Sequence, residues 1–91
     1  MVTTIQAKGW LRASDFGSAT ANFEIRFESG GAVGEVRSEL AVITEAKAAG
    51  RANLVTEAGR WIAIRPLEMT GSLLTFRVLD DEATLNRSLA R

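Results

Sequence analysis

Apolar and polar residues alternate along most of this chain, and glycines interrupt the alternation. Phe23, Ile25 and Phe27 alternate with charged residues, which is the period of two expected for a strand with one buried face. Residues 5–12 show the same period and place Trp10 on the more polar side. A turn-forming segment over residues 14–18 separates the two runs. The sequence therefore predicts an N-terminal hairpin.

Two further hairpins are predicted in the second half of the chain. Gly59 and Gly71 each follow two non-glycine residues between extended runs, as in three-residue loops that end on a left-handed glycine. Loops over 57–59 and 69–71 pair Leu54 with Ile62, and Ile64 with Phe76. This register gathers the apolar side chains on one face, which we expect to be core. They are Leu54, Ile62, Ile64, Leu74, Phe76 and Val78.

Between these halves the apolar spacing lengthens to that of a helix. Val33, Val36, Leu40 and Ile43 form an amphipathic stripe, and the helix is predicted to end at Ala49, before a capping glycine. Its start is open. Glycine at position 34 is unfavourable inside a helix, and serine at position 38 is a suitable N-cap, which would leave 33–37 extended.

These elements predict one α+β domain over residues 1–91. An antiparallel sheet of about five strands, in the order ββαβββ, packs on one central helix. A short C-terminal helix is expected from Leu85 and Leu89, with the acidic run 80–82 at its start rather than at a metal site. The pattern leaves open whether the sheet closes toward a barrel. The predicted core around the helix comprises Phe23, Ile25, Phe27, Ile43, Ile62, Ile64 and Phe76.

Composition argues against most chemistries. The chain has no histidine, cysteine or tyrosine, and its 11 basic and 11 acidic side chains give no net charge. Its acids and bases form no recognisable catalytic or metal-ligand spacing, so we expect a non-catalytic protein without a cofactor. Zero net charge makes a nucleic-acid partner unlikely on electrostatic grounds. The abundance of arginine and alanine fits a GC-rich, bacterial genome. No apolar run suits a signal peptide or membrane span, so a cytoplasmic location is expected.

The predicted sheet has a second face that is not a typical solvated one. It carries Val55, Trp61 and Leu79, with Arg65 and Arg77 beside them. Tryptophan and arginine around an aliphatic patch are enriched at binding hot spots. The sequence therefore predicts an interaction module that docks on a protein partner or forms a homodimer through these five residues.

Three alternatives stay open. The C-terminal helix can cover this face within the chain. Arg65 and Arg77 can instead hold an anionic ligand or nucleic acid, with Trp10 or Phe16 as a stacking surface. The third alternative, an inhibitor of a larger host protein complex encoded by a mobile element, rests on the small size of the chain alone.

Overall fold

Six strands and one helix form a closed barrel in the computed structural model, which describes residues 3–13, 17–28 and 31–79. The elements are β1 (Thr3–Arg12), β2 (Ser18–Glu28), β3 (Gly31–Arg37), α1 (Leu40–Ala49), β4 (Ala52–Thr56), β5 (Trp61–Thr70) and β6 (Leu73–Val78). All neighbouring strands are antiparallel, and the order around the ring is β1-β2-β3-β6-β5-β4. The ring closes because β1 pairs with β4 as well as with β2.

The barrel consists of two three-stranded meanders joined by α1. The first contains β1–β3 and the second β4–β6, and they meet along two seams, β1 with β4 and β3 with β6. The prediction of a sheet of about five strands packed on a central helix is therefore wrong. The strands enclose most of the core themselves, and α1 adds only Val42, Ile43 and Ala46 to the buried set.

The observed barrel differs from the predicted sheet of about five strands because residues 33–37 form part of β3 rather than the start of a helix. Because Gly34 has no side chain, Glu24 of β2 and Phe76 of β6 can lie close to it. A Cβ at this position would overlap the main-chain oxygen of Glu24 and lie 2.8 Å from Cζ of Phe76. Of the two helix starts that the sequence allows, the later one is thus closer to the structure. A sixth strand becomes available to complete the ring.

Only the C-terminal end of α1 agrees with the prediction from the sequence. The helix ends at Ala49 as predicted, and Gly50 has the left-handed φ of 74° and donates its N–H to the Ala46 carbonyl at 3.0 Å. Ser38 is not the N-cap. Its hydroxyl donates to the main-chain oxygen of Thr20 at 2.8 Å, which ties the β3–α1 connection to β2.

The β4–β5 hairpin has the predicted loop and register. Leu54 pairs with Ile62, and the Thr56 N–H donates to the Arg60 carbonyl at 2.9 Å across a loop whose Gly59 has φ 83°. This prediction is confirmed.

The β5–β6 register differs from the prediction by two residues at Ile64 and by three next to the loop. Thr70 pairs with Leu73, so the loop is the two-residue Gly71-Ser72, and Ile64 lies opposite Val78 rather than Phe76. A bulge between Pro66 and Glu68 inserts Leu67. A shift of two keeps every side chain on its face, which is why the predicted core residues of this hairpin are buried although their partners are wrong.

The core fills the inside of the barrel. Ile25, Ile43, Ile62, Ile64 and Phe76 are fully buried, Phe23 nearly so, and Phe27 packs partly exposed at the edge. Among the described residues, every buried side-chain polar atom has a hydrogen-bond partner.

Some predictions fall outside the described residues. These are the turn around Phe16 and the C-terminal helix with Leu85, Leu89 and the acids at 80–82. A single domain over 1–91 stays a prediction. In the part of the chain that the structure describes, the helix is too short to cross a membrane.

Candidate functional site

Both tryptophans lie on the outside of the barrel in one row of paired residues. Trp10 of β1 pairs with Val55 of β4, and Val55 pairs with Trp61 of β5. Residues in such a row lie side by side on one face of the sheet, about 5 Å apart from strand to strand. The closure of β1 on β4 therefore places the two indole rings on either side of one valine.

The next row extends this apolar surface toward β6. Leu79 donates its N–H to the Ala63 carbonyl at 2.9 Å, so Leu79 continues the β5–β6 pairing beyond the end of β6. On the β1 side, the guanidinium carbon of Arg12 lies 5.1 Å from the centroid of the Trp61 ring. This distance is within the range of a cation–π contact. We call Trp10, Arg12, Val55, Trp61, Ala63 and Leu79 the tryptophan face.

The large side chains of the tryptophan face are about half exposed. Trp10 retains 40%, Trp61 51% and Leu79 45% of their full exposure. Single exposed apolar side chains are common on protein surfaces, but large ones that adjoin each other mark interaction sites. The cation–π contact with Arg12 favours this orientation of the Trp61 ring, and a ring that is already oriented loses less conformational entropy on docking. This face can therefore bind an apolar partner surface.

The two predicted arginines border this face. Arg65 and Arg77 are direct partners across β5 and β6, one row beyond Ala63 and Leu79, and both are exposed. Like charges in directly opposed positions destabilise a sheet. No carboxylate among the described residues forms an ion pair with either guanidinium. The pair can bind one anion with two planar donors.

The structure thus brings all five predicted site residues onto one continuous outer surface. Sequence reasoning missed the contributions of Trp10 and Arg12, because the β1–β4 pairing was not predicted. The outward position of Trp10 in the alternation of β1 was the available signal. Phe16, the other proposed stacking residue, lies outside the described residues.

The described part of the chain offers little for catalysis or metal binding. It contains no group of three or more acidic, histidine or cysteine side chains placed to hold a metal ion. Comparison of the chain with protein-family models, with curated proteins and with solved structures finds no match. The arrangement of its own side chains is therefore the basis for assigning a function.

Proposed function

We propose that this chain is a non-catalytic protein-interaction module that docks through the tryptophan face. The observation that carries the proposal is the row Trp10–Val55–Trp61, which places the two tryptophans of the chain on either side of one valine, both about half exposed on the barrel surface. Tryptophan and arginine supply a large share of binding free energy at protein interfaces. The partner is a second copy of the chain or another protein.

The chemistry of the partner follows from the border of the face. Its centre is apolar, while Arg12, Arg65 and Arg77 add positive charge along one side. A complementary surface has an apolar centre that buries the indole rings and carboxylates that meet the guanidinium groups. Such charges increase the association rate and select the partner more than they increase affinity.

The first experiment measures solution mass by light scattering over a hundredfold concentration range, with tryptophan emission recorded on the same samples. Because Trp10 and Trp61 are the only tryptophans and both belong to this face, burial of the face changes their emission. In a self-associating protein we expect the mass to double while the emission moves to shorter wavelength. A constant monomer mass rules out a homodimer and leaves a different protein or coverage within the chain, and capture with wild-type and variant baits then distinguishes the two.

Trp61→Glu should weaken association by roughly 30-fold or more, since loss of a hot-spot side chain costs about 2 kcal/mol or more. The fold should persist, because the side chain is half exposed. Leu40→Glu is the matched control: Leu40 is 56% exposed and belongs to α1 rather than to the tryptophan face, and a carboxylate there suits the start of a helix. Unfolding of Trp61→Glu, or equal binding by both variants, would contradict the proposal.

Anion binding is the second candidate, and the direct opposition of Arg65 and Arg77 favours it. Inorganic phosphate should raise the midpoint of thermal unfolding at low salt, because a ligand that binds only the folded state stabilises it. The increase should fade with added sodium chloride and disappear in Arg77→Gln. Lys47→Gln, which removes an exposed charge on α1, should retain it. An equal increase in both variants would rule out this site.

A further inference from the structure

A separate groove lies on the outer surface of β1, β2, β3 and β6. Its volume is about 470 Å³, which is within the range of small-molecule sites. Leu73 supplies the apolar side chain on its outer lining, because Ala7 and Phe23, which also border it, point into the core. It shares no side chain with the tryptophan face. A second cavity of about 240 Å³ shares Lys8 and Asn22 with the groove and is also lined by Trp10.

The strand registers arrange the polar lining of this groove in two parallel rows. Glu24 of β2 is the direct partner of Glu35 of β3, which places two carboxylates side by side. In the adjacent row, Asn22 lies between Lys8 of β1 and Arg37 of β3. The rows are two residues apart along each strand, or roughly 7 Å. One side of the groove is therefore acidic and the other basic.

The carboxylates of the acidic row form no ion pair with the described residues. Two like charges in directly opposed positions destabilise a sheet unless a cation lies between them. Glu24 accepts only a long hydrogen bond of 3.5 Å from the Gln6 side-chain amide. Neither Glu24 nor Glu35 forms an ion pair with a base among the described residues. The site thus suits a ligand that brings its own positive charge to these carboxylates.

We propose that this groove binds a small zwitterion of dipeptide size. Its ammonium group lies between Glu24 and Glu35, and its carboxylate lies between Lys8 and Arg37. The row separation of roughly 7 Å matches a ligand whose charges are separated by one peptide unit rather than a single α-amino acid. The side-chain amide of Asn22 can donate to or accept from that peptide group.

The test uses Ala-Ala and its blocked forms as probes. Trp61→Phe leaves Trp10, which lines the second cavity, as the only tryptophan, so its fluorescence reports binding without the second ring. We expect saturable binding of unblocked Ala-Ala and a loss of about tenfold on acetylating its amine or amidating its carboxylate. Each block removes a charge-assisted contact, for which tenfold corresponds to about 1.4 kcal/mol.

Substitutions then assign each end of the ligand to its row. In the Trp61→Phe background, Glu35→Gln should remove the preference for a free amine. Arg37→Gln should remove the preference for a free carboxylate. Glu68→Gln and Lys47→Gln are matched controls outside the groove and should bind like the parent. If the Trp61→Phe protein bound blocked and unblocked peptides equally, that result alone would overturn the proposal. The absence of saturable binding would overturn it as well.

Discussion

At the scale of single residues, Gly34 is the position where one added methyl group should be most damaging. Its backbone φ is not in the left-handed region, so alanine is conformationally acceptable there. However, the new Cβ would overlap the Glu24 carbonyl and lie 2.8 Å from the Phe76 ring. Strands β2 and β6 would have to move away from β3 to make room for it. We expect Gly34→Ala to lower the free energy of unfolding by about 3 kcal/mol, measured by urea denaturation.

The control for this substitution is Gly50→Ala. Gly50 has a left-handed φ of 74°, and nothing lies within 4 Å of a Cβ placed there. Gly50→Ala should therefore add backbone strain alone, which lowers the free energy of unfolding by about 1 kcal/mol. If the two variants lost equal stability, close strand approach at Gly34 would not be the cause.

Residue patterns predicted which side chains face outward better than which ones meet. Alternation alone placed Trp61 and Val55 outside and Ile62 inside, because side-chain direction in a strand depends only on the period of two. It carried no information about Trp10 as a neighbour of Val55. That contact needs the pairing of β1 with β4, which links segments far apart in the chain.

At the scale of elements, the bulge in β5 explains why the predicted β5–β6 register was wrong while its faces were right. Leu67 is an extra, exposed residue between Pro66, which pairs with Phe76, and Glu68, which pairs with Thr75. Proline is suited to this position because it has no N–H to contribute to the ladder. An extra residue that pairs with nothing leaves no periodic signal in the sequence.

Deletion of Leu67 should therefore be tolerated. The pairs on both sides of the bulge can close into a regular ladder with every side chain on its present face, at a cost of about 1–2 kcal/mol for the lost twist. Deletion of Arg65 from the same strand would instead make Ile64 and Pro66 neighbours and force one half of β5 to turn its buried face outward. Thermal unfolding followed by circular dichroism should show a cooperative transition only for the first deletion. Two similar transitions would contradict this account of the bulge.

At the scale of the whole molecule, closure of the ring was the feature that local patterns could not specify. Each meander has a clear signature of alternation and turns, but either an open sheet or a barrel is compatible with it. The two seams depend on long-range pairing, and the glycines at positions 9 and 34 that permit close approach are readable only once the neighbouring strands are known. The start of the helix was left open at the same place, because 33–37 has partners on both sides only in the closed ring.

Native-state hydrogen exchange tests this closure directly. In a closed barrel the amides of the β1–β4 and β3–β6 seams are held as firmly as those of the β1–β2 hairpin, because only global unfolding exposes them. We expect their opening free energies to agree within about 1 kcal/mol. The amides of α1, which buries only three side chains, should open locally and exchange faster, and they provide the internal reference. Fast exchange along either seam, at the rate of α1, would mean that the strands form an open sheet in solution. At the β1–β4 seam it would also mean that Trp10 does not lie beside Val55.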